Sequence, residues 1–100
     1  MEKKVPHYAL DLIHAEVRQR GVDAFTRTAL DGGRDMGLRF EQMVAVICGL
    51  TRKHFFKSMT TFADHTIWQD VYHAPTPAGL AYVKLTLRSG TVVIQFKRKE

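Results

Sequence analysis

Apolar residues recur along the first half of the chain at the helical period and along the second half at the strand period. Leu10, Ile13 and Val17 form one stripe over 9–20, closed by Gly21, and predict a first helix with Pro6 just ahead of it. A short extended link is expected over 22–25. Thr26 reads as the N-cap of a second helix over 26–36, with Ala29, Leu30 and Met36 inward. Gly32 and Gly33 each cost about 1 kcal/mol relative to alanine there, so this helix is expected to be short or frayed, ending at Gly37. Phe40, Met43, Val44, Ile47 and Leu50 predict a third helix with a broad apolar face, followed by a single turn over 52–54 capped by Thr51.

From Phe55 the period changes to two. Strands are predicted over 55–61, 67–73, 80–88 and 91–97, with Ser89-Gly90 as a hairpin turn and the Pro75, Pro77, Gly79 stretch as a loop over 74–79. Helices first and strands afterwards imply an α+β domain, three N-terminal helices packed on one face of a C-terminal antiparallel sheet. Alternation places Ala81, Val83, Leu85, Leu87, Val92, Ile94 and Phe96 under the helices. Tyr82, Lys84, Thr86, Arg88, Gln95 and Lys97 then fall on the opposite face. Trp68 and Tyr72 read as core residues rather than platforms for bases.

One hundred residues bound this to a single domain over 1–100, and 45% hydrophobic with 25% charged residues is the composition of an ordinary globular chain. No apolar run approaches a membrane span and no secretory signal is visible, so a cytoplasmic protein without a membrane partner is expected. Cys48, the single cysteine, reads as a buried small hydrophobe. The charge is more telling. Residues 1–50 carry seven Lys/Arg against seven acids, and residues 51–100 carry eight against three, so the entire +5 excess lies in the second half. Such a one-sided basic field suits a polyanionic ligand.

The segment 55–72 is unusually rich in hydrogen-bonding side chains for a strand pair, which points to a surface that holds something. Five histidines show no short ligand spacing, and neither CxxC nor HExxH is present, so no metal and no cofactor is expected. Lysine, tyrosine and glutamine on a basic, partly aromatic face suit metal-free RNA cleavage. A base removes the proton of a ribose 2′-hydroxyl, ammonium groups stabilise the phosphorane, and an acid protonates the leaving 5′ oxygen. Crowded lysines lower one another's pKa, which would let one of them act as base or acid. His65, beside Asp64 in a loop between strands, reads equally as a catalyst and as a turn-fixing residue, and Lys84 and Arg88 read as solvated strand positions. A non-catalytic nucleic-acid-binding regulator using the same face is the alternative.

The strings Phe56-Lys57-Ser58-Met59-Thr60-Thr61 and Asp64-His65-Thr66-Ile67-Trp68-Gln69-Asp70-Val71-Tyr72, with Thr26-Arg27-Thr28-Ala29-Leu30 and the opening Met-Glu-Lys-Lys-Val-Pro-His, resemble the motility quorum-sensing regulator family of messenger-RNA interferase toxins. The resemblance implies a RelE-like toxin fold and ribosome-independent cleavage of single-stranded mRNA at GCU-type sequences. It also implies an MqsA-like antitoxin partner with a zinc-binding domain and a helix-turn-helix domain. Carried onto this sequence, it implies Lys57, Gln69, Tyr82 and Lys97 as catalytic residues. Lys57 and Lys97 would meet phosphate charge, Tyr82 would transfer a proton or stack on a base, and Gln69 would position the RNA. Phe56, Met59, His65, Lys84 and Arg88 are the candidate RNA contacts, Phe56 standing where the family commonly has tyrosine.

Overall fold

A computed structural model describes residues 1–100. Its strands are β1 (Glu2–Lys3), β2 (Phe55–Thr60), β3 (Trp68–Thr76), β4 (Gly79–Arg88) and β5 (Thr91–Arg98). They form one antiparallel sheet in that order. The helices are α1 (Leu10–Arg20), α2 (Arg27–Asp35) and α3 (Phe40–Cys48), and none is long and apolar enough to cross a membrane. They cover one face of the sheet, burying Ile13, Val17, Ala29, Met43 and Ile47 against Tyr72, Val83, Leu85, Ile94 and Phe96. This is the α+β architecture that the two periodicities predict, and it is consistent with the RelE-like toxin fold that the family resemblance implies.

Several local expectations are corrected. The link over 22–25 is not extended: Gly21, at φ +58°, ends α1 and leads into a 3₁₀ turn over Gly21–Ala24, closed by the Phe25 N–H bonding to the Val22 carbonyl at 3.1 Å. The loop over 74–79 is largely strand, because Pro75 lies beyond the start of β2 and no neighbour on that side asks for its missing N–H. Only Pro77 and Ala78 separate β3 from β4. Cys48 is half-buried and packs on the core's margin. Trp68 is also half-buried and lies outside the core. His7 stacks on it with ring centroids 5.4 Å apart, and the Lys3 ammonium lies 4.2 Å from its centroid.

The glycine pair in α2 is explained by packing. A Cβ on Gly32 would overlap the Phe96 carbonyl oxygen, and one on Gly33 would run into the Met43 side chain. Bare backbone lets α2 lie against the outer edge of β5, where the Thr26 N–H also donates to the Ile94 carbonyl at 3.1 Å. The helix is neither frayed nor displaced: Thr26 caps it, its Oγ1 accepting from the Ala29 N–H at 3.0 Å. The edge that β5 would leave open is thereby covered.

β1 has no counterpart in the sequence patterns, since two residues carry no periodicity. It is held in place from a distance. Asp70, 1% exposed, accepts hydrogen bonds from the His7 N–H at 3.0 Å and the Tyr8 N–H at 2.8 Å, pinning the N-terminal segment alongside β2.

Candidate nucleic-acid interface

Register determines what meets on the uncovered face. Lys97 on β5 lies directly opposite Tyr82 on β4, which lies opposite His73 on β3. In the adjacent row Lys57, Val71, Lys84 and Gln95 line up across β2 to β5, and in the next Met59 pairs with Gln69. An irregularity in β2 between Phe55 and Lys57 brings two successive residues to this face. Phe55 turns inward against Tyr72, Phe56 stacks on His73 at 4.4 Å between centroids, and Lys57 follows on the same side.

Lys57, Tyr82 and Lys97 therefore occupy two adjacent rows. The Lys97 and Lys84 ammonium groups sit 5.6 and 5.8 Å from the Tyr82 ring centroid, and Lys57 lies 5.6 Å from that of Phe56. Gln69 shares the face but stands four residues along β3 from His73, about 13 Å at strand spacing, with Met59 beside it. Arg88 is farther off, at the last pair of β4 with β5. His65 is exposed in the loop between β2 and β3 at that same end. The turn there is fixed by its neighbours. Asp64 accepts from the Thr66 N–H at 2.8 Å and hydroxyl at 2.6 Å, bonds that hold its carboxyl below the usual range, and Thr61 Oγ1 donates to the Asp64 carbonyl at 2.7 Å. The turn-fixing role considered for His65 thus belongs to Asp64 and Thr61.

Two residues not singled out from the sequence join the site. His73 follows Gln69 and Val71 in the alternation of β3, a signal already contained in the strand predicted over 67–73. Glu2 arrives on β1 and accepts an ion-paired hydrogen bond from Lys57 Nζ at 2.7 Å, a contact with no local signature in the chain.

These two set the electrostatics. The hydrogen bond to Glu2 raises the Lys57 pKa above its ordinary 10.5, so Lys57 stays an ammonium; mutual depression by neighbouring lysines does not prevail there. Burial, reinforced by Lys99, lowers His73 below its ordinary 6.5 and keeps the imidazole neutral near pH 7. His, Cys, Asp and Glu side chains nowhere gather in threes as a metal site would need.

The model of the motility quorum-sensing regulator family, described as the toxin of MqsA, matches residues 5–98. The chain belongs to this family. It is 42% identical over 99 residues to the mRNA interferase toxin MqsR of Escherichia coli (strain K12), an alignment covering 99% of this chain and 100% of that protein. For a member of the motility quorum-sensing regulator family, the face just described offers three ammonium groups, one tyrosine hydroxyl and one neutral imidazole beside a stacked aromatic ring. That set can bind phosphate, move protons and hold a base by stacking.

Proposed function

We propose that this chain is an mRNA interferase, the toxin of a toxin–antitoxin pair, which cleaves single-stranded mRNA at GCU-type sequences independently of the ribosome and so halts translation in the cytoplasm. The partner is an MqsA-like antitoxin carrying zinc-binding and helix-turn-helix domains. The reading is carried by the direct opposition of Tyr82 and Lys97 with Lys84 and Lys57 in the next row, a cationic cluster on the uncovered face. Family membership and the relative's name support the substrate class.

The chemistry needs no metal. His73, neutral at working pH, takes the proton of the 2′-hydroxyl. The freed oxygen attacks the adjacent phosphorus while Lys57, Lys84 and Lys97 balance the charge on the phosphorane oxygens, and the P–O5′ bond breaks as Tyr82 gives its proton to the leaving oxygen. A 2′,3′-cyclic phosphate and a 5′-hydroxyl result. Gln69 and Met59 extend the face along the RNA, and Phe56 stacks on a neighbouring base. His65 and Arg88, at the far end, meet only a longer strand.

Purified protein is incubated with an mRNA in excess chelator and the new ends are mapped. Wild type should cut at GCU-type sites, and Lys57→Ala should lower the rate about 10²- to 10³-fold, as removal of one charge-stabilising donor does. His73→Gln should abolish the acid limb of the rate profile below pH 6.5. Binding without cutting would favour the non-catalytic regulator, and loss of activity on chelation would refute the metal-free route.

A further inference from the structure

Two cavities flank Tyr82. One, of about 410 Å³, lies toward β2 and is walled by Phe56 and His73 with the basic chain end. The other, of about 400 Å³, lies between the first turn of α2 and the open-face side chains of β4 and β5. Tyr82, Lys84 and Lys97 are the wall that both cavities share. With the cleaved phosphate on that wall, the nucleotides before and after it fall one to each side.

The two cavities differ in chemistry. The Phe56 side offers mainly rings and cations, with the Glu100 carboxylate beside them, and rings and cations hold any base alike. The α2 side adds the neutral groups Gln95 and Thr28, both exposed and neither hydrogen-bonded within the protein. The glutamine amide presents two donors and an acceptor in one plane, a pattern that matches the mixed edge of a base and is wasted on a phosphate, which only accepts. Ala29 and Phe96 contribute apolar surface to the same cavity, and its volume lies within the roughly 300–1,000 Å³ usual for small-ligand sites. Its walls are also fixed relative to each other, because α2 is tied to β5 through Thr26, Ile94 and the bare backbone of Gly32.

We propose that the cavity between α2 and β5 is a nucleobase subsite in which Gln95 and Thr28 read the edge of one unpaired base adjoining the cut. The proposal rests on the RNA-cleaving reading of the same face and deepens it: one flanking position is read by hydrogen bonds, the other only by stacking.

The test uses full-length protein and single-stranded RNA oligonucleotides carrying each of the four bases at each position around the cut. Cleavage efficiency is measured on the RNA set, and affinity on a 2′-O-methyl set that cannot react. Gln95→Leu and Thr28→Val should each flatten the base ranking at one position next to the cut, by roughly 5- to 150-fold for the glutamine, while rankings elsewhere persist. Thermal melts confirm that both variants are folded, and either variant alone suffices. An unchanged ranking, or a uniform loss over the whole set, overturns the subsite while leaving the nuclease standing. A wild type that ranks the 2′-O-methyl set but cuts nothing, with the ranking lost in Gln95→Leu, removes the nuclease and keeps the subsite. Absence of both binding and cleavage overturns both.

Discussion

Replacing Asp70 by alanine should detach the N-terminal segment and with it the partner of Lys57. The carboxylate is 1% exposed and accepts from two backbone N–H groups, that of His7 reaching both oxygens at 3.0 Å and that of Tyr8 reaching one at 2.8 Å. Hydrogen bonds to a charged acceptor contribute about 1.5–3 kcal/mol each, so two donors give a gross loss of about 3–6 kcal/mol. Relief of the buried charge's desolvation offsets part of this, leaving a net loss of about 2–4 kcal/mol. Set against a total stability of about 5–15 kcal/mol, the variant stays folded near room temperature. At roughly 4–8 °C per kcal/mol its Tm should fall by about 10–30 °C. Thermal unfolding gives that number, and hydrogen exchange gives the location, with the amides of His7, Tyr8 and the β1 pairing losing protection first. Asp31→Ala is the control, since its 3.9 Å pair with Arg34 is exposed and worth about 0–1 kcal/mol. A loss under about 1 kcal/mol for Asp70→Ala, with His7 and Tyr8 still protected, would refute the pinning role.

Three other outcomes follow from the packing and titration of the fold. Gly32→Ala gains about 1 kcal/mol of helix propensity but sets a methyl group onto the Phe96 carbonyl, where overpacking costs about 1–3 kcal/mol; a lowered denaturant midpoint is expected, and a raised one would show that α2 can shift off β5. Tyr72 is fully buried with its hydroxyl unpaired, and burial pushes that hydroxyl up to about 12, so Tyr72→Phe should raise stability by about 1 kcal/mol, or 4–8 °C in Tm; a lower Tm would mean that the hydroxyl has a partner. His14 has a buried, unpaired Nε2, and burial lowers its folded pKa below 6.5, so the unfolded chain binds the proton more readily. The stability His14 contributes is full above pH 6.5 and is lost as pH falls through the folded value, and pH-dependent melts should show this slope flattened in His14→Gln.

The elements of this fold were legible because periodicity is local. Spacing of three and four predicts a helix wherever it occurs, and alternation divides β4 and β5 between a covered and an open face, which already places Tyr82, Lys84 and Lys97 together. The family strings then single out Lys57 and Gln69. What sequence could not supply were distances between strands. Register puts Lys97 opposite Tyr82 but leaves Gln69 about 13 Å along β3, and alternation permits both arrangements equally. The irregularity that turns Phe56 outward onto His73 breaks the period on which the reading depends. Gly32 and Gly33 are costly by propensity and are required by the close approach of α2 to β5 and Met43. Glu2 meets Lys57 across 55 residues of chain, held there by Asp70. Local preference settles which elements form and which face each side chain takes. The partners that set the charge of Lys57 and surround His73 come from tertiary packing, because they depend on groups brought together only by the folded chain.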